Sequence, residues 1–504
     1  MNVSELLSRN ARKYPFQEAV VTESDRVTYK ELNEFVNRFA QSLKDQGVSP
    51  SDKVVLFLPN TLEFVISYFA IQRLGAIVVP VNAKLSQGEL AYIVEHCDAK
   101  AMITHDLLFE TAKLLPNLPT ICIKTGEDSG VWRSFSKLLE SGADGEILCQ
   151  LKEDDESTVL YTSGTTGKPK GVLFTYRNIL TVATMMSVEM EMKPESRILH
   201  MMPLSHSAPL HLFLVAGTFV GATHVLSETF TPERLLQLVH TEKTTHFFGA
   251  PVAYLFTAKQ PNLPSYDLSS MKYWVYGGAP LSKGEVEFVE NSFQTKSLYC
   301  VYGLTESGPS GTLLMPEEHG EKAGSIGRRG ALGTELRIVD SEGNDVKTGE
   351  IGEILLFGEG IMKGYYKNPE ETKAVFLGEW VRTGDLGKRD AEGFLWIVDR
   401  KKDLIISGGV NIYPKEIEEE LIKHSLISEV AVIGVPHPEW GETVKAFVVC
   451  RDELQDIGKE CHAFLAGKIA SYKIPRLYEQ VAVLPRNATG KILKQVLRKT
   501  HQEV

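Results

Sequence analysis

The sequence predicts an α/β and α+β multidomain protein: a large amino-terminal domain of α/β sheet subdomains plus a small β-barrel, and a small α+β carboxy-terminal domain. Three observations carry this. The chain has 504 residues, more than one ordinary hydrophobic core spans. Short apolar runs alternate with longer amphipathic segments up to about residue 300, the pattern of parallel strands joined by crossover helices. After residue 324 the texture turns glycine-rich with short alternating runs, which reads as antiparallel β.

The elements follow in order. Residues 4–14 form an amphipathic helix, with Leu6, Leu7 and Ala11 on one face. VVLFLP (54–59) is a buried strand and 62–76 a helix ending near Gly75; AIVVPV (76–81) is a strand, 89–97 a helix and AMIT (101–104) a strand. The alternation resumes from about 175 to 300, with THVL (223–226) and SLYCVY (297–302) as strands. The β-rich segment spans about 324–399, and the charged run 399-DRKKD-403 marks a second boundary. Beyond it come a helix at 414–424, strands at 429–435 and 444–450, a helix at 459–469 and a strand at 480–485.

Composition narrows the function. A formal charge of −11 and a pI near 5.7 argue against a nucleic-acid binder, which presents a basic face. The six cysteines, Cys97, Cys122, Cys149, Cys300, Cys450 and Cys461, form no C-x-x-C pair and have no histidine at zinc spacing. They read as reduced thiols of a cytoplasmic protein. The amino terminus lacks the apolar stretch of a signal peptide, and the longest apolar run, 210–226, is interrupted by His211, Thr218, Thr223 and His224, so no transmembrane span is expected.

Six clusters could carry chemistry. The stretch 161-YTSGTTGKPKG-171 resembles a phosphate cradle without being a Walker A loop, which needs G-x-x-x-x-G-K followed by Ser or Thr. Small residues let backbone amides approach phosphate oxygens, and Lys168 and Lys170 add charge. The second is 277-GGAP-280, a turn that lets a flat ring approach the backbone. In the third, 302-YGLTES-307, Tyr302 offers a stacking face, Thr305 a hydroxyl and Glu306 a hard oxygen ligand suited to Mg2+. Asp385 in 383-TGDLG-387, Arg400 in 399-DRKKD-403 and Lys491 in 485-PRNATGKILK-494 complete the set. Taken singly, each is as well read as an ordinary turn or a solvated charge.

Together, in this order, they resemble the adenylate-forming superfamily of acyl-CoA synthetases, firefly luciferase and nonribosomal-peptide adenylation domains. The resemblance covers essentially the whole chain and is nearest to fatty acyl-CoA synthetases. It adds 203-PLSHSAPL-210, WVRTGDLG and VDRKKDLIISGGVNIYPKEIE to the matching segments. It implies two half-reactions. A carboxylate attacks the α-phosphorus of Mg·ATP to give acyl-AMP and pyrophosphate; a thiol, usually of coenzyme A, then displaces AMP. It implies that Thr162, Ser163, Gly164, Thr165, Thr166, Gly167, Lys168 and Lys170 hold the β- and γ-phosphates, with Thr162 and Glu306 at Mg2+. Thr305 would bond the α-phosphate, Gly278, Ala279, Pro280 and Tyr302 would enclose adenine, and Asp385 and Arg400 would bind ribose. Lys491 would bridge the carboxylate and α-phosphate. His206 would stand beside the α-phosphate and the acyl entrance. The implied domains are 1–401 and a mobile 402–504, hinged at Lys402, whose rotation withdraws Lys491 and brings Gly408 and Gly409 toward a pantetheine channel.

The acid is the least legible feature. No arginine precedes YGLTES, where malonate-type ligases place one; Val301 stands there. The expected pocket walls, 206–217, 247–256 and 273–278, are apolar and aromatic, which suits a medium- or long-chain fatty acid. An arylpropenoate is the alternative, with Tyr273 and Tyr276 available to a flat ring, and loading of a carrier protein in trans is another. A fatty substrate also raises peripheral membrane association; the oligomeric state has no signal in the sequence.

Overall fold

A computed structural model describes residues 2–147, 149–162, 168–451, 456–486 and 492–502, apart from the side chains of 500–502. The chain packs as two compact units: Met1–Leu336 with Leu356–Val381, and Arg337–Leu355 with Arg382–Val504.

The first unit holds two large sheets. In one, strands Arg197–His200, His246–Gly249, Tyr273–Gly277 and Leu298–Tyr302 run parallel and lie at the heart of a nine-stranded sheet. In the other, eight-stranded sheet, Lys53–Phe57, Ile77–Pro80 and Ala99–Thr104 run parallel. Glu156–Thr162 pairs parallel with Ile77–Pro80 on one side and antiparallel with Lys170–Thr175 on the other. Central strands are mostly buried, and Ile77–Pro80 and Tyr273–Gly277 are buried at every position. That is why they read as continuous apolar runs and not as alternation. The crossover helices begin where side chains supply the orphan amides of the first turn. Thr28 with Glu31, Ser86 with Glu89, Thr175 with Asn178 and Ser282 with Glu285 form capping boxes at helices Tyr29–Asp45, Gln87–His96, Tyr176–Glu189 and Lys283–Phe293.

The glycine-rich segment forms the expected antiparallel β, a half-barrel built on Glu335–Val339, Gly352–Phe357, Trp380–Arg389 and Leu395–Arg400. The tail of the second unit is α+β. Ile427–His437 and Gly441–Cys450 make a long antiparallel pair, and Pro414–Leu421 and Ile457–Leu465 pack their apolar side chains, Ile417, Leu421, Cys461 and Leu465, into its core. Two expectations shift here. The helix expected to run to 469 stops at Leu465, before Gly467 at φ +79°. The strand expected at 480–485 lies at Leu477–Gln480, parallel to Lys445–Val448. The apolar run after it is not strand: Leu484 packs with Leu497 of the last helix, Lys494–Gln502, in a separate cluster.

Candidate active site

Four parallel strands of the nine-stranded sheet end on the same side, and their carboxyl ends deliver 203-PLSH-206, Ala250, 278-GAP-280 and 303-GLTES-307. Loops beyond the carboxyl ends of parallel strands are where open α/β sheets bind ligands. Gly278 adopts φ +83° and is exposed, as is Ala279, while Pro280 is half-buried. Two neighbouring glycines are sterically required. A Cβ on Gly277 would lie 2.8 Å from the Val301 carbonyl, and one on Gly303 would lie 1.8 Å from that of Pro309. The half-buried Tyr302 ends its strand opposite Thr312. Thr305 and Glu306 sit in the single 3-10 turn Thr305–Ser307, where Thr305 Oγ1 is 3.3 Å from Ser207 Oγ.

The second sheet reaches the same place through two asparagines. Asn60 donates to the Met202 carbonyl at 2.9 Å and accepts from the Leu204 amide at 2.9 Å. Asn82 Oδ1 accepts from the Lys84 amide at 2.8 Å, which turns its Nδ2 toward His206 Nε2 at 3.1 Å. The imidazole therefore accepts at Nε2 and carries its proton on Nδ1. Burial lowers the His206 pKa to about 4, so the ring is neutral at physiological pH. A π-helix, Ala208–Val215, follows at once and is buried from Pro209 onward; such helices concentrate at functional sites.

Thr162 and Lys170 are register partners at the mouth of an antiparallel hairpin. Its loop therefore leads strand to strand, unlike a Walker loop, which opens a helix. Ser163, Gly164, Thr165, Thr166 and Gly167 lie outside the described residues, as does Lys491. Lys168 is exposed, 5.5 Å from the Tyr92 ring centroid, and Lys170 pairs with Glu371. The Tyr365 hydroxyl donates to Glu306 Oε1 at 2.8 Å. Among the described residues no group of three or more His, Cys, Asp or Glu could hold a metal ion. A carboxylate such as Glu306 and a hydroxyl such as Thr162 are nevertheless donors of the kind Mg2+ takes, since it needs few protein ligands when substrate phosphates supply the rest.

In the second unit the strand register sets Asp385 opposite Arg400, and Arg400 Nε meets Asp385 Oδ1 at 2.7 Å. Asp385 is buried, while Arg400 is half-exposed. Gly408 and Gly409, at φ +57° and +80°, make the two-residue turn between Ile405–Ser407 and Val410–Ile412, the conformation a tight hairpin demands. Beside Lys402, Asp403 pairs with Arg498 of the last helix at 2.8 Å. Lys494, three residues past Lys491, pairs with Glu418 at 2.7 Å.

Sequence reasoning missed Asn60, Asn82, Tyr365 and the π-helix. It also misassigned two tyrosines. Tyr276 is fully buried with its hydroxyl 3.0 Å from His319 Nε2, and Tyr273 is buried against the His246 ring at 4.6 Å. Both are packing residues of the sheet. A half-buried ring near the site is Phe248, within 3.1 Å of where a Gly277 Cβ would stand and 5.5 Å from the Phe213 ring.

An α/β core with a glycine-lined platform, an acidic 3-10 turn and a lysine-bearing hairpin at its strand ends belongs to the class of nucleotide-handling enzymes. Comparison with known proteins makes this specific. The AMP-binding enzyme family matches residues 7–366, and the AMP-binding enzyme C-terminal domain matches residues 416–491. Feruloyl-CoA synthase of an Amycolatopsis species is 35% identical over 494 residues, covering 97% of each chain. Long-chain-fatty-acid–CoA ligase FadD13 of Mycobacterium tuberculosis is 33% identical over 508 residues, covering 99% of this chain and 98% of that one. The crystal structure of ATP-bound MatB from Rhodopseudomonas palustris superposes with a TM-score of 0.88 at 28% identity, covering 100% and 99%. The chain belongs to the AMP-binding enzyme family, as an AMP-forming acyl-CoA synthetase. ATP and coenzyme A are the substrates of such ligases. Among the described residues no helix is long and apolar enough to cross a membrane.

Proposed function

We propose that the acid activated is a medium- or long-chain fatty acid. The observation that carries this reading is the wall beside His206: the π-helix Ala208–Val215 is buried and apolar except for His211, and Phe213 and Phe248 pair at its side. A mostly apolar wall with few polar groups matches an alkyl chain. Withdrawal of Tyr273 and Tyr276 into the sheet removes the side chains that would have favoured a flat ring. The feruloyl-CoA synthase at 35% identity favours a second reading, an arylpropenoate.

In the reaction we propose, a carboxylate oxygen bonds to the α-phosphorus while the bond to the β-phosphate oxygen breaks, and pyrophosphate leaves with the electron pair. Coenzyme A then loses its thiol proton, its sulfur bonds to the acyl carbon, and AMP leaves. The Thr162–Lys170 hairpin restrains the β- and γ-phosphates. Thr305 donates to the α-phosphate, and Gly278, Ala279, Pro280 and Tyr302 enclose adenine. Asp385 and Arg400 hold the ribose hydroxyls. Lys491 supplies a fixed positive charge between carboxylate and α-phosphate, a positioning and electrostatic role that needs no proton transfer. Glu306 and Thr162 hold Mg2+, which neutralises phosphate charge when bound. Domain 402–504 turns about Lys402 between the half-reactions, and Gly408 and Gly409 then face the pantetheine arm.

ATP–pyrophosphate exchange across a panel of alkyl, aryl and arylpropenoic acids tests the substrate, followed by detection of the CoA thioester. Exchange confined to aryl acids refutes the fatty-acid reading. Exchange without a CoA thioester refutes coenzyme A as acceptor and favours a carrier protein.

A further inference from the structure

Glu306 is held at two points by one short segment. Its carbonyl accepts from the Met362 amide at 2.9 Å, and its Oε1 accepts from the Tyr365 hydroxyl at 2.8 Å. Tyr365 is itself fixed. It lies on Gly364–Tyr365, which pairs antiparallel with Val172 and Leu173 of the hairpin strand, and its amide donates to Thr372 Oγ1 at 2.8 Å. The Lys170 ammonium is 5.4 Å from the tyrosine ring centroid and pairs with Glu371. A half-buried phenol thus joins the acidic turn at the end of one sheet to the lysine-bearing hairpin of the other. Neither the acidic turn nor the hairpin has any sequence relation to 363-KGYYK-367.

We propose that Tyr365 is a positioning residue for the cation-binding carboxylate: by holding Oε1, it fixes the plane of Glu306 and leaves Oε2 to face the nucleotide-bound divalent cation. This rests on the reading of Glu306 as a cation ligand. Three features support it. A carboxylate has two oxygens, and a donor that occupies one prevents rotation about the last side-chain bond. Groups that orient a metal ligand through a hydrogen bond change metal affinity or activity by about 10–100-fold when removed. The tyrosine is itself fixed in place, its strand paired with Val172 and Leu173 and its amide bonded to Thr372 Oγ1.

The test is the contribution of the cation to nucleotide affinity. The Kd of ATP is measured by calorimetry in EDTA and in saturating Mn2+, for the full-length protein, Tyr365→Phe, Glu306→Gln and the double variant. The readout is the ratio of the two constants. Tyr365→Phe is expected to lower that ratio about 10-fold while leaving the Kd in EDTA and the melting temperature close to wild type. Glu306→Gln should lower the ratio further, and adding Tyr365→Phe to it should change nothing more, because the tyrosine acts through the carboxylate. If Glu306→Gln lowers the ratio and Tyr365→Phe does not, the positioning role is refuted and the cation reading stands. If Glu306→Gln leaves the ratio unchanged, both are refuted. A Tyr365→Phe effect that appears equally in EDTA, or persists in the Glu306→Gln background, assigns Tyr365 a structural role and also overturns the proposal.

Discussion

If Asp385 binds the ribose as proposed, replacing it by asparagine should separate nucleotide binding from chemistry. Asp385 is 4% exposed, takes Arg400 Nε at 2.7 Å, and has its own amide bonded to Thr383 Oγ1 at 3.0 Å. Its backbone is therefore held independently of its charge, and the nearly isosteric amide keeps the shape. What disappears is one ionised acceptor. A hydrogen bond to a charged group contributes about 1.5–3 kcal/mol, which converts to a KM for ATP raised roughly 10- to 150-fold. A ribose contact far from the reacting phosphorus is as strong in the ground state as in the transition state, so kcat should change little. The fold should lose about 1 kcal/mol or less, because the half-exposed Arg400 remains solvated after losing its partner. Pyrophosphate exchange at varied ATP gives both constants, and the melting temperature checks the fold. An unchanged KM with a collapsed kcat would refute the assignment of Asp385 to ribose binding.

Three further outcomes are expected. Lys491→Ala should abolish acyl-AMP formation by several orders of magnitude yet spare thioester formation from synthetic acyl-AMP; equal loss of both steps removes the proposed division of labour. Gly303→Ala should fail to fold normally or lose the site, since its Cβ would stand 1.8 Å from the Pro309 carbonyl oxygen, whereas Gly284→Ala, with nothing within 4 Å, should be neutral to slightly stabilising; melting curves of the pair decide. Stability should fall on acidification. Burial lowers the pKa of His211 and His246 to about 4 and of His224 to about 3, below the unfolded value near 6.5. The unfolded chain thus binds more protons below pH 6.5. Each of these histidines makes the folded state lose stability as the pH falls from there to about pH 4, with a slope that approaches roughly 1 kcal/mol per pH unit once the unfolded imidazole is mostly protonated. Asp399 and Glu418, whose pKa values burial raises, act in the opposite sense. Urea midpoints at pH 7.5, 6 and 5 that stay level or rise refute the histidine account.

The alternation that announces parallel strands, and the hydroxyl–acid spacing that starts Gln87–His96 and Lys283–Phe293, are local and therefore legible in the sequence. So were the glycines of the platform, since a turn residue announces itself. The expected strand at 480–485 slid to Leu477–Gln480 because an apolar run signals burial without saying what it is buried against. Leu484 packs against Leu497 instead of joining the ladder. Asn82 and Tyr365 had no local signal at all. An asparagine after a strand is an ordinary turn residue, and Tyr365 acts on a carboxylate 59 residues away. Their roles exist only where the two sheets of the first unit meet. The π-helix was equally hidden, because 208-APLHLFLV-215 is as compatible with an α-helix as with a wider one.

The geometry around His206 also constrains what kind of catalyst this is. An imidazole whose Nε2 accepts from Asn82 at 3.1 Å and whose pKa is lowered to about 4 has neither a proton to give nor a free lone pair there at pH 7. A general base works best with a pKa near the operating pH, so His206 is poorly suited to that work. The role we propose for it is to present Nδ1–H as a neutral donor and to shape the approach of the acid. The carboxylate attacks as the anion it already is, so adenylation needs no base. The adenylation rate at saturating substrates should therefore show no inflection attributable to His206 between pH 5.5 and 8. His206→Asn should scale the pH profile without changing its form, and Asn82→Ala, which frees Nε2, should let an inflection emerge at a higher pH than 4. A wild-type inflection near pH 6.5 that vanishes in His206→Asn refutes the neutral-donor role and restores the histidine as a titrating group.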